Sequence, residues 1–142
     1  MATGAANLIA FETALDQQDI KYVELENTNQ PAVRIGYNLQ NINQLDVFFW
    51  FDQDGTTMHY GSGVITHVPE NKADQAMQAI NAANVKYRWL TFFLDANNNI
   101  VASGDHILTP NVVGDTCVEL LNRTLSICDE AYETFMKAIW TN

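Results

Sequence analysis

Asp95, Asn97 and Asn99 have the types and the spacing of the first three side-chain ligands of an EF-hand calcium loop. Such a loop also needs glycine at its sixth position and a bidentate glutamate at its twelfth. Those positions hold Ile100 and His106 here, and the flanking residues alternate like strands instead of following a helical pattern. Asn-rich segments tolerate left-handed backbone and bond their own main chain. The stretch therefore predicts a hairpin turn and not a calcium site.

Three histidines, His59, His67 and His106, are the other candidates for metal or hydrolytic chemistry, with Asp105 beside the last of them. His59 and His67 share parity on one strand-like run, but eight residues of strand span ~26 Å, which is too far for one ion. Nothing in the spacing brings the three rings together. We predict solvated or core histidines and no catalytic, metal or cofactor-binding residues. The alternative is a small metal-dependent enzyme using His59, His67 or His106.

Cys117 and Cys128 are the only two cysteines, and both fall in a helical stretch. Eleven helical residues cover roughly 16 Å, well beyond the Cα separation that a disulfide bridges. Neither thiol has a basic neighbour that would activate it, Arg123 excepted. The two are predicted to be inert, buried core residues of a cytoplasmic protein.

The charge balance narrows the class of partner. Seventeen acidic and seven basic residues give a net charge of −10, which repels nucleic acid and anionic lipid and favours basic partners. No apolar run approaches the length of a membrane span. The amino-terminal stretch lacks a basic residue before its short apolar segment and carries Glu12 soon after it, so it does not resemble a signal peptide. We predict a cytoplasmic protein that binds neither nucleic acid nor membrane.

Apolar periodicity divides the chain into helices and strands. Helical spacing covers Ala5–Asp19, Glu70–Asn84 and Val112–Trp140, and the last of these is expected to pack in the core. The strand candidates are residues 21–26, 32–39, 44–51, 57–68, 87–95 and 99–108. Hairpin signals such as Asp54-Gly55 favour antiparallel pairing. The order of helix, strands, helix, hairpin and long C-terminal helix predicts one α+β domain over residues 1–142, an antiparallel sheet with three helices mainly on one face.

Some aromatic residues of the strands are expected on the side of the sheet that the helices do not cover. In residues 44–51, the positions expected to face the helices are Leu45, Val47, Phe49 and Phe51. Strand alternation then directs Phe48 and Trp50 to the opposite side. The run 87–95 is apolar on both sides too, with Tyr87 and Trp89 sharing one of them. Phe48, Trp50, Tyr87 and Trp89 therefore predict a protein interface, because aromatic rings are enriched there. In the alternative reading, loops or a helix cover this second face.

Three segments together resemble the YbjN-like family of bacterial sensory transduction regulators. They are "VRIGYNLQN" (33–41), "QAINAANVKYRWLTFFLDANNNIVASGDHIL" (78–108) and "CVELLNRTLSICDEAYETFMKAIW" (117–140). The resemblance runs from about Ile20 to Trp140 and rests on apolar spacing. It implies the fold of the type III secretion chaperones, which are small acidic α+β domains that commonly dimerise and hold partner polypeptides. It implies no catalytic residue.

These observations favour a non-enzymatic cytoplasmic protein-interaction module. The expected role is that of a chaperone-like or regulatory adaptor, in bacterial sensory transduction if the resemblance extends to function. The expected partners are a second copy of the chain, forming a homodimer, and another protein whose identity the sequence does not specify. No cofactor is expected.

Overall fold

A computed structural model of the chain describes residues 3–141. The helices in this part are α1 (Gly4–Gln17), α2 (Ala73–Lys86) and α3 (Val113–Trp140). The strands are β1 (Val23–Glu24), β2 (Ala32–Tyr37), β3 (Leu45–Phe51), β4 (Thr57–Ser62), β5 (Thr66–His67), β6 (Thr91–Leu94) and β7 (Asn99–Ile107). This is the predicted α+β architecture, and the predicted order of elements is confirmed.

The strands form one antiparallel sheet in which β1, β2, β3, β4 and β7 follow one another. Strand β7 has neighbours on both sides. Ser103 is opposite Gly61 of β4 and also opposite Thr91 of β6, so β4 and β6 border β7 on different edges. Strand β5 extends the line of β4 along the same edge of β7. The hairpin β6–β7 is thus joined to the amino-terminal meander through the pairing of β4 with β7.

The predicted strand 57–68 is not continuous. Gly61 pairs with Ser103, but Thr66 pairs with Ile100, so two extra residues lie between β4 and β5 relative to β7. Extra residues of this kind in one strand of a pair bend that strand locally. The backbone stays engaged across it, because the Ile65 amide donates to the Ile100 carbonyl at 2.8 Å.

The helices cover one side of the sheet and enclose the core there. Every second residue of β3 is buried on that side, in the predicted set Leu45, Val47, Phe49 and Phe51. From α1, Phe11 packs edge-on against Phe49, with ring centroids 4.6 Å apart. Burying one such aromatic side chain contributes about 1.5–3 kcal/mol. The alternation predicted for β3 is confirmed.

Helix α3 lies in the core along its whole length, as predicted. Its buried residues keep helical spacing and are Val113, Cys117, Val118, Leu120, Leu121, Thr124, Leu125, Cys128, Ala131, Phe135 and Ile139. Both cysteines are free thiols, and burial raises the pKa of each to about 12. A thiol with so high a pKa holds its proton and is a poor nucleophile. The prediction of inert core cysteines is consistent with this environment.

Helix boundaries differ from the prediction at both ends of the second helix. Its first turn, Glu70–Lys72, is 3-10 helix, and α2 then continues to Lys86 instead of ending at Asn84. Met77 of this helix is 51% exposed. The buried stripe of α2 consists of small residues and one isoleucine: Ala76, Ala79, Ile80 and Ala83.

The stretch with calcium-loop spacing is a hairpin turn between β6 and β7. The Asp95 carboxylate accepts the amides of Asn97 and Asn99, each at 2.9 Å. Asn98 has a left-handed backbone with φ 61°, a conformation that asparagine tolerates. The turn prediction is confirmed, and the Asp95 carboxylate is already engaged by the main chain.

Candidate interaction surfaces

The side of the sheet away from the helices, here called the open face, carries the predicted aromatic pair. Phe48 and Trp50 are partly exposed, and their rings stack with centroids 5.5 Å apart and planes 14° apart. The Trp50 ring also contacts the ring of His59 on β4 at 5.3 Å. On β7, the Asp105 carboxylate lies 2.8 Å from Nδ1 of His59. A row of contacting side chains thus crosses β3, β4 and β7.

Other apolar side chains extend the open face to its margins. By strand register, Val23 of β1, Phe93 of β6 and Ile107 of β7 lie on this side. They are 50%, 42% and 78% exposed. Arg34 and Asp46 add a pair of opposite charges 3.8 Å apart on β2 and β3. The surface is apolar at its centre with charged groups beside it, which is the composition of a protein interface.

Tyr87 and Trp89 do not lie on this face, so the structure does not bring the four residues of the predicted interface together. The strand expected from residue 87 begins only at Thr91, because Tyr87 ends α2 and its amide still donates to the Ala83 carbonyl. Trp89 lies on the helix side of the sheet, beside α3. The predicted set is therefore split between two surfaces, with Phe48 and Trp50 on one and Trp89 on the other.

Trp89 is held in an unusual conformation by distant residues. Its φ of 77° is in the left-handed region, which a bulky side chain rarely adopts. The hydroxyl of Tyr60, whose pKa burial raises above its usual value, donates to the Trp89 carbonyl. A Cβ on Gly104 would lie 2.6 Å from that carbonyl and from the Tyr60 hydroxyl, so only glycine fits below them. Strain retained in this way indicates that the surrounding structure fixes the position of the ring.

Beside the Trp89 ring is a cavity of about 340 Å³, here called the Trp89 pocket. Its lining consists of Trp89, His106, Asp115, Thr116, Glu119, Leu120 and Arg123. The Arg123 guanidinium lies 5.6 Å from the indole centroid, and its Nη2 is 3.3 Å from the Glu119 carboxylate. The volume is in the range of small binding sites. Apart from Trp89, none of these residues was predicted to lie at a protein interface, because no local pattern links residue 89 to α3.

The three histidines lie in different environments. His59 is on the open face against Trp50, whereas His67 of β5 has Nδ1 2.9 Å from the Asn99 side-chain oxygen. His106 lies on the helix side, with its ring centroid 6.5 Å from that of Trp89. Residues 3–141 contain no group of three or more His, Cys, Asp or Glu side chains placed to hold a metal ion. This part of the chain therefore contains no metal-binding group of that size to support the alternative of a metal-dependent enzyme.

The sequence matches one protein family, described as "Putative bacterial sensory transduction regulator" and named YbjN, over residues 7–137. This range covers most of the chain. The chain belongs to the YbjN family. No functionally curated protein matches it.

Solved structures share the fold of this YbjN family member at low sequence identity. YbjN from E. coli has a TM-score of 0.63 at 12% identity, covering 92% of this chain and 89% of that one. The crystal structure of the ExsC–ExsE complex contains a chain with a TM-score of 0.65 at 11% identity, covering 100% of both. The ExoU–SpcU complex of the Pseudomonas aeruginosa type III secretion system gives 0.54 at 10% identity, covering 92% and 98%. These likenesses confirm the type III secretion chaperone-like fold.

Within the described residues 3–141, none of the helices is both long and apolar enough to cross a bilayer.

Proposed function

We propose that this YbjN family member is a non-enzymatic protein-interaction module that holds another polypeptide in a chaperone-like manner and self-associates through the open face. The observation that carries the proposal is the stacked, partly exposed pair of Phe48 and Trp50 on that face. The opposite side of the same sheet is buried under the helices. Solvent-exposed aromatic groups of this kind are typical of surfaces that another protein covers.

Two further observations support binding of a polypeptide. Two of the structural neighbours were solved as complexes of two proteins, ExsC with ExsE and ExoU with SpcU. The net charge of −10 attracts basic partners over long range. We propose a role as a regulatory adaptor in sensory transduction, in keeping with the family description, and separately a cytoplasmic location.

A homodimer is proposed because the open face is suited to meet its own copy. In a two-fold dimer the same patch is contributed by both subunits, so an apolar centre opposes an apolar centre. The charges beside the patch have both signs, as Arg34 and Asp46 show. A two-fold axis that passes between them would place each near the opposite charge of the second copy.

The test is the substitution Trp50→Ser, measured by light scattering over a dilution series. Removing an aromatic from the centre of an interface costs more than about 2 kcal/mol, so the dimer dissociation constant should rise more than tenfold. Circular dichroism should show an unchanged fold. The matched control is Trp140→Ser, because Trp140 is 65% exposed and lies at the end of α3, away from the open face.

Two outcomes contradict parts of this proposal. A wild type that stays monomeric at high concentration removes the homodimer, and capture of partners by wild type and Trp50→Ser then tests the partner claim alone. If Trp50→Ser unfolds, the ring belongs to a second core and the open face is not an interface.

A further inference from the structure

Strand β7 directs its backbone groups alternately to its two edges. The Ile100 carbonyl accepts the Ile65 amide of the segment leading into β5, and the amide of Leu108, just past β7, donates to the carbonyl of Thr56, just before β4. Even-numbered residues of β7 thus face β4 and β5. Because the direction alternates along a strand, the odd-numbered residues present their amides and carbonyls to the other edge, where β6 lies.

Within residues 3–141, the second half of that edge has no neighbouring strand. Strand β6 is opposite residues 100–103 only, since it begins at Thr91 across from Ser103. Asp105 and Ile107 come after this point and still direct their backbone groups to the same side. Among residues 3–141, no hydrogen bond reaches the amide or the carbonyl of either one on that side. We call this segment, residues 105–107, the free edge of β7.

The conformation of Trp89 is the reason that β6 stops here. A continuation of β6 towards its amino terminus would place residue 89 opposite Asp105. Instead, the left-handed backbone at Trp89 leads the chain onto the helix side of the sheet, where its carbonyl lies above Gly104. The edge is therefore open because of residues that also shape the Trp89 pocket.

The outer edge of β6, in contrast, has backbone groups that are hydrogen-bonded to a side chain. The Asn84 side chain of α2 accepts the Phe92 amide at 2.8 Å and donates to the Phe92 carbonyl at 3.1 Å. One asparagine thus satisfies both outward groups of that residue. Edge strands are commonly protected in this way against pairing with other chains. Among residues 3–141, no side chain hydrogen-bonds the backbone of Asp105 or Ile107, and the one side-chain bond of Asp105 is that of its carboxylate with His59.

The free edge and the Trp89 pocket are adjacent through His106. His106 lies between Asp105 and Ile107 and directs its ring to the helix side, into the lining of the pocket. Directly opposed residues of neighbouring strands point to the same side. A strand added at the free edge would thus place the residue opposite His106 in the pocket, between Trp89 and buried Leu120.

The charges around this site favour a basic segment. The Asp105 side chain is 83% exposed, and Asp115 and Glu119 line the pocket. Arg123 and Glu119 of the lining pair with each other, so the net negative charge comes from Asp115 and from Asp105, whose carboxylate also contacts His59. Unpaired backbone amides and carbonyls can hydrogen-bond an extended polypeptide segment. The acidic side chains around the site favour Lys or Arg in that segment, next to the apolar residue that enters the pocket.

We propose that the free edge of β7 and the Trp89 pocket bind an extended segment of a partner polypeptide as an added antiparallel strand. Its motif, from N to C, is an apolar residue opposite Ile107, a large apolar residue opposite His106 and Lys or Arg opposite Asp105. This inference rests on the proposed role in holding a partner polypeptide. Of the open face it uses only Asp105 and Ile107, at the margin, and not Phe48 or Trp50.

Amide hydrogen exchange tests the edge itself. In the free protein, the amides of Asp105 and Ile107 should exchange at rates of unstructured chain, while those of Val101 and Ser103, paired with β6, should be strongly protected. Strong protection of Asp105 and Ile107 in the free, monomeric protein would show that the edge is already occupied and would overturn the inference.

Selection of phage-displayed random heptapeptides on the purified full chain tests the binding. Peptides enriched on wild type should share the apolar, large apolar, basic order and should protect the Asp105 and Ile107 amides at least tenfold. Two variants should weaken the selected peptide at least tenfold. Thr116→Trp fills the pocket, and Ile107→Pro removes the amide at the free edge, a position where proline costs no ladder hydrogen bond.

The controls separate this site from the open face. Ile107→Val keeps the amide and should bind like wild type, and Trp50→Ser should also bind like wild type even if it loses self-association. Circular dichroism checks the fold of each variant. If Ile107→Pro does not fold, the binding result for Thr116→Trp alone tests the inference. Failure to enrich the motif, or binding that survives Thr116→Trp, overturns the inference. Loss of peptide binding in Trp50→Ser assigns the peptide to the open face and also overturns it.

Discussion

Phe48 and Phe49 are neighbours on β3, yet they lie on opposite sides of the sheet. Phe49 is fully buried against Phe11 and Tyr60, whereas Phe48 is partly exposed and contacts Trp50. The same residue type at adjacent positions therefore has two different surroundings. On the helix side, apolar burial stabilises the fold. On the open face, much of the apolar surface remains accessible to a partner.

The two sides of the β6–β7 hairpin differ in a similar way. Asn84 hydrogen-bonds the outer edge of β6, but within the described part of the chain, residues 3–141, no side chain does so at the free edge of β7. A protein can therefore limit unwanted pairing at one edge and still retain another that can bind. Substitutions on the two sides of the sheet can therefore separate residues that stabilise the fold from residues that are available for binding.

The largest expected effect comes from Phe49→Ala compared with Phe48→Ala. Truncating the buried ring should lower the free energy of unfolding by about 3–5 kcal/mol, because it leaves a cavity in the core. Truncating Phe48 should cost under about 1 kcal/mol in the monomer. Urea denaturation monitored by circular dichroism at low protein concentration measures both. Equal losses would mean that the two faces are both core.

A second substitution tests the helix that covers the sheet. Leu121 of α3 is fully buried, so Leu121→Ala should cost about 2–5 kcal/mol, and Leu120→Ala should lie in the same range. The neighbouring exposed position gives the control, Asn122→Ala, which should unfold close to the wild-type temperature. If both leucine variants melt at the wild-type temperature, α3 does not pack as described.

A smaller effect is expected at the turn of the β6–β7 hairpin. Asp95→Ala removes the acceptor of two backbone amides and should cost about 1 kcal/mol, whereas Asp95→Asn keeps an acceptor and should cost less. Millimolar calcium should leave the melting temperature of all three proteins unchanged. A rise of several degrees in wild type that disappears in Asp95→Ala would identify a calcium site instead.

The smallest expected effect concerns Glu12, on α1 beside the edge of the sheet. Burial, a hydrogen bond with Glu24 and the negative charges of Glu24 and Asp16 raise the pKa of Glu12 from 4.5 to about 7. Between pH 4.5 and about 7, the Glu12 carboxyl is therefore protonated in the folded state and ionised in the unfolded state. Its contribution to stability is full below pH 4.5 and declines as the pH rises through 7.

Glu12→Gln should remove this decline. The variant should be more stable than wild type at pH 8, by under about 1 kcal/mol because solvent screens the group, and the difference should shrink towards pH 5. Glu70→Gln, at an exposed glutamate before α2, controls for the loss of one negative charge. A Glu12→Gln variant that is less stable than wild type at pH 8 would contradict the assignment.

Local patterns in the sequence predicted much of the fold. The strict alternation of β3 identified its buried and open sides, and the unbroken stripe of α3 identified a core helix. Asp95 and the asparagines after it predicted the hairpin turn. These predictions were confirmed because each rests on the interactions of residues a few positions apart, where side-chain direction follows from the backbone period alone.

Family membership came from the same local information spread over many segments, and the residues matched extend from 7 to 137. The open-face interface stays a prediction for Phe48 and Trp50. The strand boundaries were less accurate, since the run 57–68 is interrupted and the run 87–95 begins as a strand only at Thr91. Apolar residues on both sides of residues 87–95 resembled a strand, but the first four of them connect α2 to the sheet.

What only the tertiary structure decided is the position of Trp89, and with it the pocket and the free edge of β7. Its backbone is fixed by the hydroxyl of Tyr60, 29 positions away, and by the lack of a side chain at Gly104. A tryptophan with left-handed backbone has no local sequence signal, because its own preference is for extended or helical conformations. Long-range contacts outweigh that preference, and a pattern of neighbours does not contain them.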